Sequence, residues 1–142
     1  MKIIRIEHKV TKTGVYTTAQ RPETLRRVIR TNFTFGDKHP TPEKDSLFVE
    51  NALLRYPAAH DSYWGLSIYK IKFLKFGFAD KNQLRAWFYD DGVFRLMHDA
   101  NFHIVEIEVK DAIIGHTQVA YDSTDDIISQ TEHNILEYLN IK

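Results

Sequence analysis

Residues 102–109 read FHIVEIEV, and they form the clearest strand in the chain: Val105, Ile107 and Val109 fall on one face, Glu106 and Glu108 on the other. Alternation with a period of two, between β-branched residues and charges, marks a strand buried on one face and wetted on the other. Upstream, GVFRLMHDAN (92–101) has helical character after a break at Asp91-Gly92. Downstream, DAIIGHTQVAYD (111–122) reads as a further strand or hairpin around Gly115. A strand flanked by a helix and by another strand, without a βαβ rhythm, indicates α+β rather than a doubly wound sheet.

The remaining segments extend this pattern. Residues 2–10 alternate as a strand, with Ile4, Ile6, His8 and Val10 on one face and Ile3, Arg5, Glu7 and Lys9 on the other. Thr13-Gly14 supplies a turn into VYTT (15–18), and Pro22 opens a helix carrying Leu25, Val28 and Ile29 at helical spacing. GDKHPTPEKD (36–45) and AAHDSYWG (58–65) read as loops. Between them, Asp45 or Ser46 caps a helix through LFVENALLRY, stopped by Pro57. YKIKFLKFGFA (69–79) resembles a strand whose alternation slips near Phe73-Leu74, consistent with a bulge. Asp80 caps a helix with Leu84, Trp87 and Phe88 as its apolar stripe. Ser123 or Thr124, followed by Asp125 and Asp126, begins a closing helix with Ile128, Ile135 and Leu139 facing in. The expectation is one α+β domain over residues 1–142, a small mixed or antiparallel sheet packed with three to five helices.

Composition excludes several functions. Lys plus Arg and Asp plus Glu are each 19, so the chain lacks the cation surplus of a general nucleic-acid coat. Cysteine is absent, which removes disulfides, thiolate nucleophiles and zinc–thiolate sites. No apolar run approaches the roughly 20 residues that span a bilayer, and Lys2, Arg5, Glu7 and His8 interrupt the first apolar stretch. The expected setting is soluble and cytoplasmic. Glycine loops of the P-loop or dinucleotide type, a nucleophile elbow and HExxH are missing. His8, His39, His60, His98, His103, His116 and His133 include no pair at metal-ligand spacing, so no metal centre is expected.

Three features remain as candidate sites. Arg21, Arg26, Arg27 and Arg30 lie in the first helix, where guanidinium forks suit phosphate or carboxylate. Tyr63 and Trp64 sit in a polar loop, where large aromatics anchor interfaces unless the loop folds back on the core. His8 shares a row with aliphatics. One reading makes it a partly buried histidine whose ring nitrogens find hydrogen-bond partners; the other makes it the wall of a pocket. The first is preferred because it needs no ligand.

RIEH (5–8) with Gly14 to Tyr16, HPTPEKD (39–45), FGFADKNQLRAWF (76–88) and GHTQVAYD (115–122) together resemble a group of short proteins, often phage-encoded and without assigned activity. The likeness runs from the first strand to about Asp122. It implies an accessory protein expressed inside an infected bacterium, which binds and modulates a host factor; the arginines, Tyr63 and Trp64 are the expected contacts because Arg and aromatics dominate interface energetics. The host partner would then carry an acidic surface, with no cofactor. Homodimerisation through an open sheet edge is compatible with this, though nothing in the sequence fixes it.

A fainter likeness is to NAD-dependent ADP-ribosyltransferases of the His-Tyr-Glu type. His8, GVY (14–16) and TQVAYD (117–122) are similar to that family's three motifs in order. The resemblance implies that His8 binds ribose, Tyr16 stacks on nicotinamide and Gln118 takes the glutamate position, with NAD as cofactor. Gln118 lacks the charge that stabilises a cationic transition state, and the interval from His8 to Tyr16 is short for the family. Binding to a host protein is therefore the primary reading.

Overall fold

The computed structural model describes residues 1–14, 42–57, 60–61, 65–66, 73–88 and 90–142. Helices among them are α1 (Ser46–Arg55), α2 (Lys81–Trp87), α3 (Asp91–Asp99) and α4 (Ile135–Tyr138), preceded by a 3-10 turn at Pro42–Lys44. Strands are β1 (Lys2–His8), β2 (His60–Asp61), β3 (Gly65–Leu66), β4 (Leu74–Gly77), β5 (Phe102–Val109), β6 (Ile113–Ile114), β7 (Val119–Asp122) and β8 (Ile127–His133). They form two antiparallel three-stranded sheets, β1-β5-β8 and β4-β7-β6, and a small β2-β3 ladder. The α+β class expected from the sequence holds. Residues 15–18, the helix after Pro22 and residues 69–72 lie outside the described residues.

β5 is the centre of the first sheet, and both of its faces are covered. Phe102 and Ile104 join Ile4 and Ile6 of β1 against Leu84, Trp87, Phe94, Met97, Ile135 and Leu139 of the helices. Val105, Ile107 and Val109 join Ile3 against Val119 and Tyr121 of the second sheet. The inward row Val105, Ile107 and Val109 and the two faces of β1 are as expected, but the opposite face of β5 is wetted only at Glu106 and Glu108, since Phe102 and Ile104 lie buried under the helices. β7 alternates in turn: Ala120 points the other way, into a cluster with Phe48 and Ala52 of α1 and Ile113. The layers run helices, sheet, sheet, helix. Each fully buried aliphatic or phenyl side chain contributes roughly 1.5–3 kcal/mol to this packing.

The caps follow the sequence. Asp45 accepts from the Phe48 N–H at the start of α1, and Asp80 from the Gln83 N–H at the start of α2. The two sheets meet where Ile4 and Phe78 exchange backbone bonds, each 2.7 Å. Only glycine permits that approach, since a Cβ on Gly77 would lie 2.6 Å from the Ile4 carbonyl oxygen.

Three expectations are corrected. β1 ends at His8 rather than Val10, because the chain turns there, and Val10 is exposed. His60–Asp61, within the segment 58–65 read as a loop, pairs with Gly65–Leu66 at its end. The closing helix does not begin at Ser123 or Thr124: residues 127–133 are a strand, Ile128 is exposed, and only Ile135–Tyr138 is helical, capped by Asn134.

Candidate functional site

The face of β1 that carries Ile3 also carries Arg5 and Glu7, which the second sheet covers. Glu7 is 5 % exposed, and such a carboxylate must be paired. Arg5 Nε donates to its Oε2 at 2.9 Å, and Lys75 Nζ on β4 lies 3.7 Å from the same oxygen. Arg5 Nη1 donates to the Phe76 carbonyl at 2.6 Å, fixing the guanidinium between the sheets.

Across the ladder from Glu7 stands His103 of β5, on the same face as Val105. Its ring is buried, and Nε2 has no hydrogen-bond partner among the described residues. Nδ1 lies 3.9 Å from Glu132 Oε2, and Glu132 Oε1 receives Lys12 Nζ at 3.2 Å. Burial pushes the His103 ring below its ordinary pKa, and Glu132 and Glu7 offset only part of that. Tyr121 of β7 closes the other wall, its hydroxyl driven upward by burial.

Glu7, Lys75 and Tyr121, with Lys12 and Ser123, line a cleft of about 750 Å³ between the sheets, with Val105 and Ile127 as apolar patches and Gln130, Thr131 and Glu132 of β8 at its rim. Both lining carboxylates already face cations. The Lys12 and Lys75 ammonium groups, the Gln130 amide and the Tyr121 and Thr131 hydroxyls leave donors in excess. The lining charges cancel, Lys12 against Glu132 and Lys75 against Glu7, so the cleft offers its free donors to a polar group that accepts hydrogen bonds. Among the described residues no three His, Cys, Asp or Glu side chains converge for a metal ion, and no helix is long and apolar enough to cross a membrane.

A family model matches residues 1–133. The chain belongs to the bacteriophage T4 Y00F protein family. The match runs past Asp122, where the sequence likeness was expected to stop, to the last residue of β8, so that the whole cleft lies within the Y00F family region. No curated protein and no solved structure matches the chain significantly.

Of the sequence-derived candidates, Arg21, Arg26, Arg27, Arg30, Tyr63, Trp64 and Tyr16 lie outside the described residues. His8 is buried on the helix side of β1, edge-on to Phe102 at 5.3 Å. Its Nδ1 accepts the N–H groups of Val10 (3.2 Å) and Thr11 (3.3 Å), and so closes the turn after β1. That is the first of the two readings given for it. Gln118 precedes β7, and the bridges Gly77↔Val119 and Ile4↔Phe78 set it level with Ile4. His8 stands four residues further along β1, roughly 13 Å away. The two are not brought together.

The sequence reading missed the cleft residues. Arg5 and Glu7 fall with Ile3 and Lys9 on the row opposite Ile4 and Ile6, and nothing in the sequence was read as covering that row. The available signal was Ile3 beside them in the same row, an aliphatic that an open face does not require.

Proposed function

We propose that this member of a phage protein family acts in the cytoplasm of the infected bacterium by binding a host protein, and that the cleft between the sheets holds an acidic group of that partner. The donor excess at Lys12, Lys75, Gln130 and Tyr121 carries this reading. Half-exposed ammonium groups beside an open rim can exchange their carboxylate partners for one from another protein, and such charge complementarity sets partner choice and association rate.

The test is capture from bacterial lysate with the wild type and with Lys75→Glu, read by mass spectrometry. A stoichiometric partner retained by the wild type and lost by the variant is expected. No stoichiometric partner at micromolar protein counts against the reading. The alternative carried by the transferase resemblance, NAD held by His8, Tyr16 and Gln118, predicts heat on mixing with NAD that His8→Ala removes. Silence in that titration discards it.

A further inference from the structure

The outer edge of β8, whose Gln130, Thr131 and Glu132 also stand at the rim of the cleft, carries an inference that rests on backbone groups rather than on the cleft's side chains. Backbone bonds from Lys9 N–H to Asn101 O (2.9 Å) and from Val109 N–H to Met1 O (2.8 Å) set the phase of the β1–β5 ladder. Hydrogen-bonded pairs in an antiparallel ladder recur at every second residue, so the odd-numbered residues of β5 bond to β1. Consistently, Ile4 and His8 of β1 turn their N–H groups away from β5, to Phe78 and Thr13. The even-numbered residues of β5 therefore serve β8: Ile104 with His133, Glu106 with Thr131, Glu108 with Ser129. It follows that Gln130 and Glu132 present their N–H and C=O groups outward. No backbone group of the described residues bonds to them there.

That edge is self-complementary. The register shift at Glu108/Val109 makes Ile128 a bulge, and Asn134 begins the cap of α4, so the flat edge runs over residues 129–133 with Thr131 at its centre. A twofold axis at Thr131 sets Gln130 of one copy opposite Glu132 of the other, each giving one donor and one acceptor. Each carboxylate then faces an amide rather than another carboxylate. Centring the axis on Gln130 instead would oppose Glu132 to the bulge and break the ladder. No proline and no lysine lie within Ile127–His133; its bulge at Ile128 falls outside the flat stretch, and its one carboxylate, Glu132, is met by an amide in this pairing. The edge of β1 is already occupied at Ile4 and His8.

We propose that β8 is the surface at which two copies of this chain pair, antiparallel about Thr131, joining two three-stranded sheets into one of six strands. Thr131 would meet its own copy in a non-hydrogen-bonded pair, with Cα atoms about 4.5 Å apart, within disulfide range. The chain has no cysteine to interfere.

The test joins sedimentation velocity with crosslinking. The wild type is expected to pass reversibly from monomer to dimer as concentration rises through the micromolar range. Gln130→Pro removes an outward N–H and leaves the β5 ladder intact; it should stay monomeric with an unchanged circular dichroism spectrum. Thr131→Cys should form a disulfide dimer under mild oxidation, and Ile128→Cys should not. A wild type that remains monomeric, together with no disulfide from Thr131→Cys, overturns the proposal. So does a monomeric wild type whose β8 edge is taken by a captured protein and freed by Gln130→Pro, since the edge then serves a different chain.

Discussion

Nη2 of Arg55 lies 2.8 Å from Oδ1 and 2.7 Å from Oδ2 of Asp126, joining the end of α1 to the turn between β7 and β8. The Asp126 carboxylate is 4 % exposed and also accepts the Asp122 N–H at 2.7 Å. Removing it strands the Asp122 N–H and leaves the part-buried guanidinium only the exposed Asp111 carboxylate, 3.6 Å from Nη1. Asp126→Ala should therefore cost about 3 kcal/mol, measured by urea denaturation. A loss below about 1 kcal/mol, the ordinary worth of a surface pair, would show that the turn relaxes freely.

Gly77 tests the junction of the two sheets. A methyl group there meets the Ile4 carbonyl oxygen, which is backbone and cannot swing aside. Gly77→Ala should separate β4 from β1, weaken the reciprocal Ile4–Phe78 bonds and cost roughly 1–3 kcal/mol. Faster amide exchange at Ile4 and Phe78, with little change at Phe48 and Ala52 in the α1 cluster, would place the damage at that seam. Uniform loss of protection would contradict a local effect.

Asp45 gives the acid limb of stability. Burial alone would raise its carboxyl, but the N–H groups of Thr117 (2.8 Å), His116 (3.0 Å) and Phe48 (3.1 Å) and the Thr117 hydroxyl (2.8 Å) outweigh that and hold it below the ordinary carboxylate range. A folded-state pKa below the unfolded one means that the unfolded chain binds more protons as pH falls. The contribution is thus complete above the unfolded value of about 3.9 and is lost as pH drops through the lower, folded one. Asp45→Asn should be less stable than the wild type at pH 7, by a margin that narrows below about pH 4. A margin that stays constant through acid would reject the assignment.

How far the sequence could be read depends on what holds each element. Asp45 and Asp80 were legible because a cap is local: one side chain and an N–H three residues on. Leu84, Trp87 and Phe88 were legible because burial writes a period into the helix. β8 was not, since an edge strand is held by backbone bonds to Glu106 and Glu108, with residues 128–132 exposed. Without an apolar row it shows no period of two, and Ile128, Ile135 and Leu139 happen to fit a helical one. The cleft was hidden for another reason. Whether Glu7 faces water or Lys75 depends on a second sheet some 70 residues away, and no local pattern records that.

His103 supplies a second, separate pH response. Burial depresses its pKa; Glu132 and Glu7 pull it upward, while Lys12 and Lys9 push it down. The unfolded ring titrates near 6.5, so between that value and the lower folded one the unfolded state holds the extra proton. Stability is then fully present above about pH 6.5 and declines as pH falls toward the folded value. His103→Gln removes this response and leaves the other histidines in place. Measured from pH 7.5 to pH 5, the wild type should lose stability relative to His103→Gln as acid is added. The His103 ring resonance in carbon-detected NMR should titrate below 6.5. Parallel stability curves for the two proteins, with a ring midpoint at or above the ordinary value, would mean that Glu7 and Glu132 govern this imidazole rather than its burial.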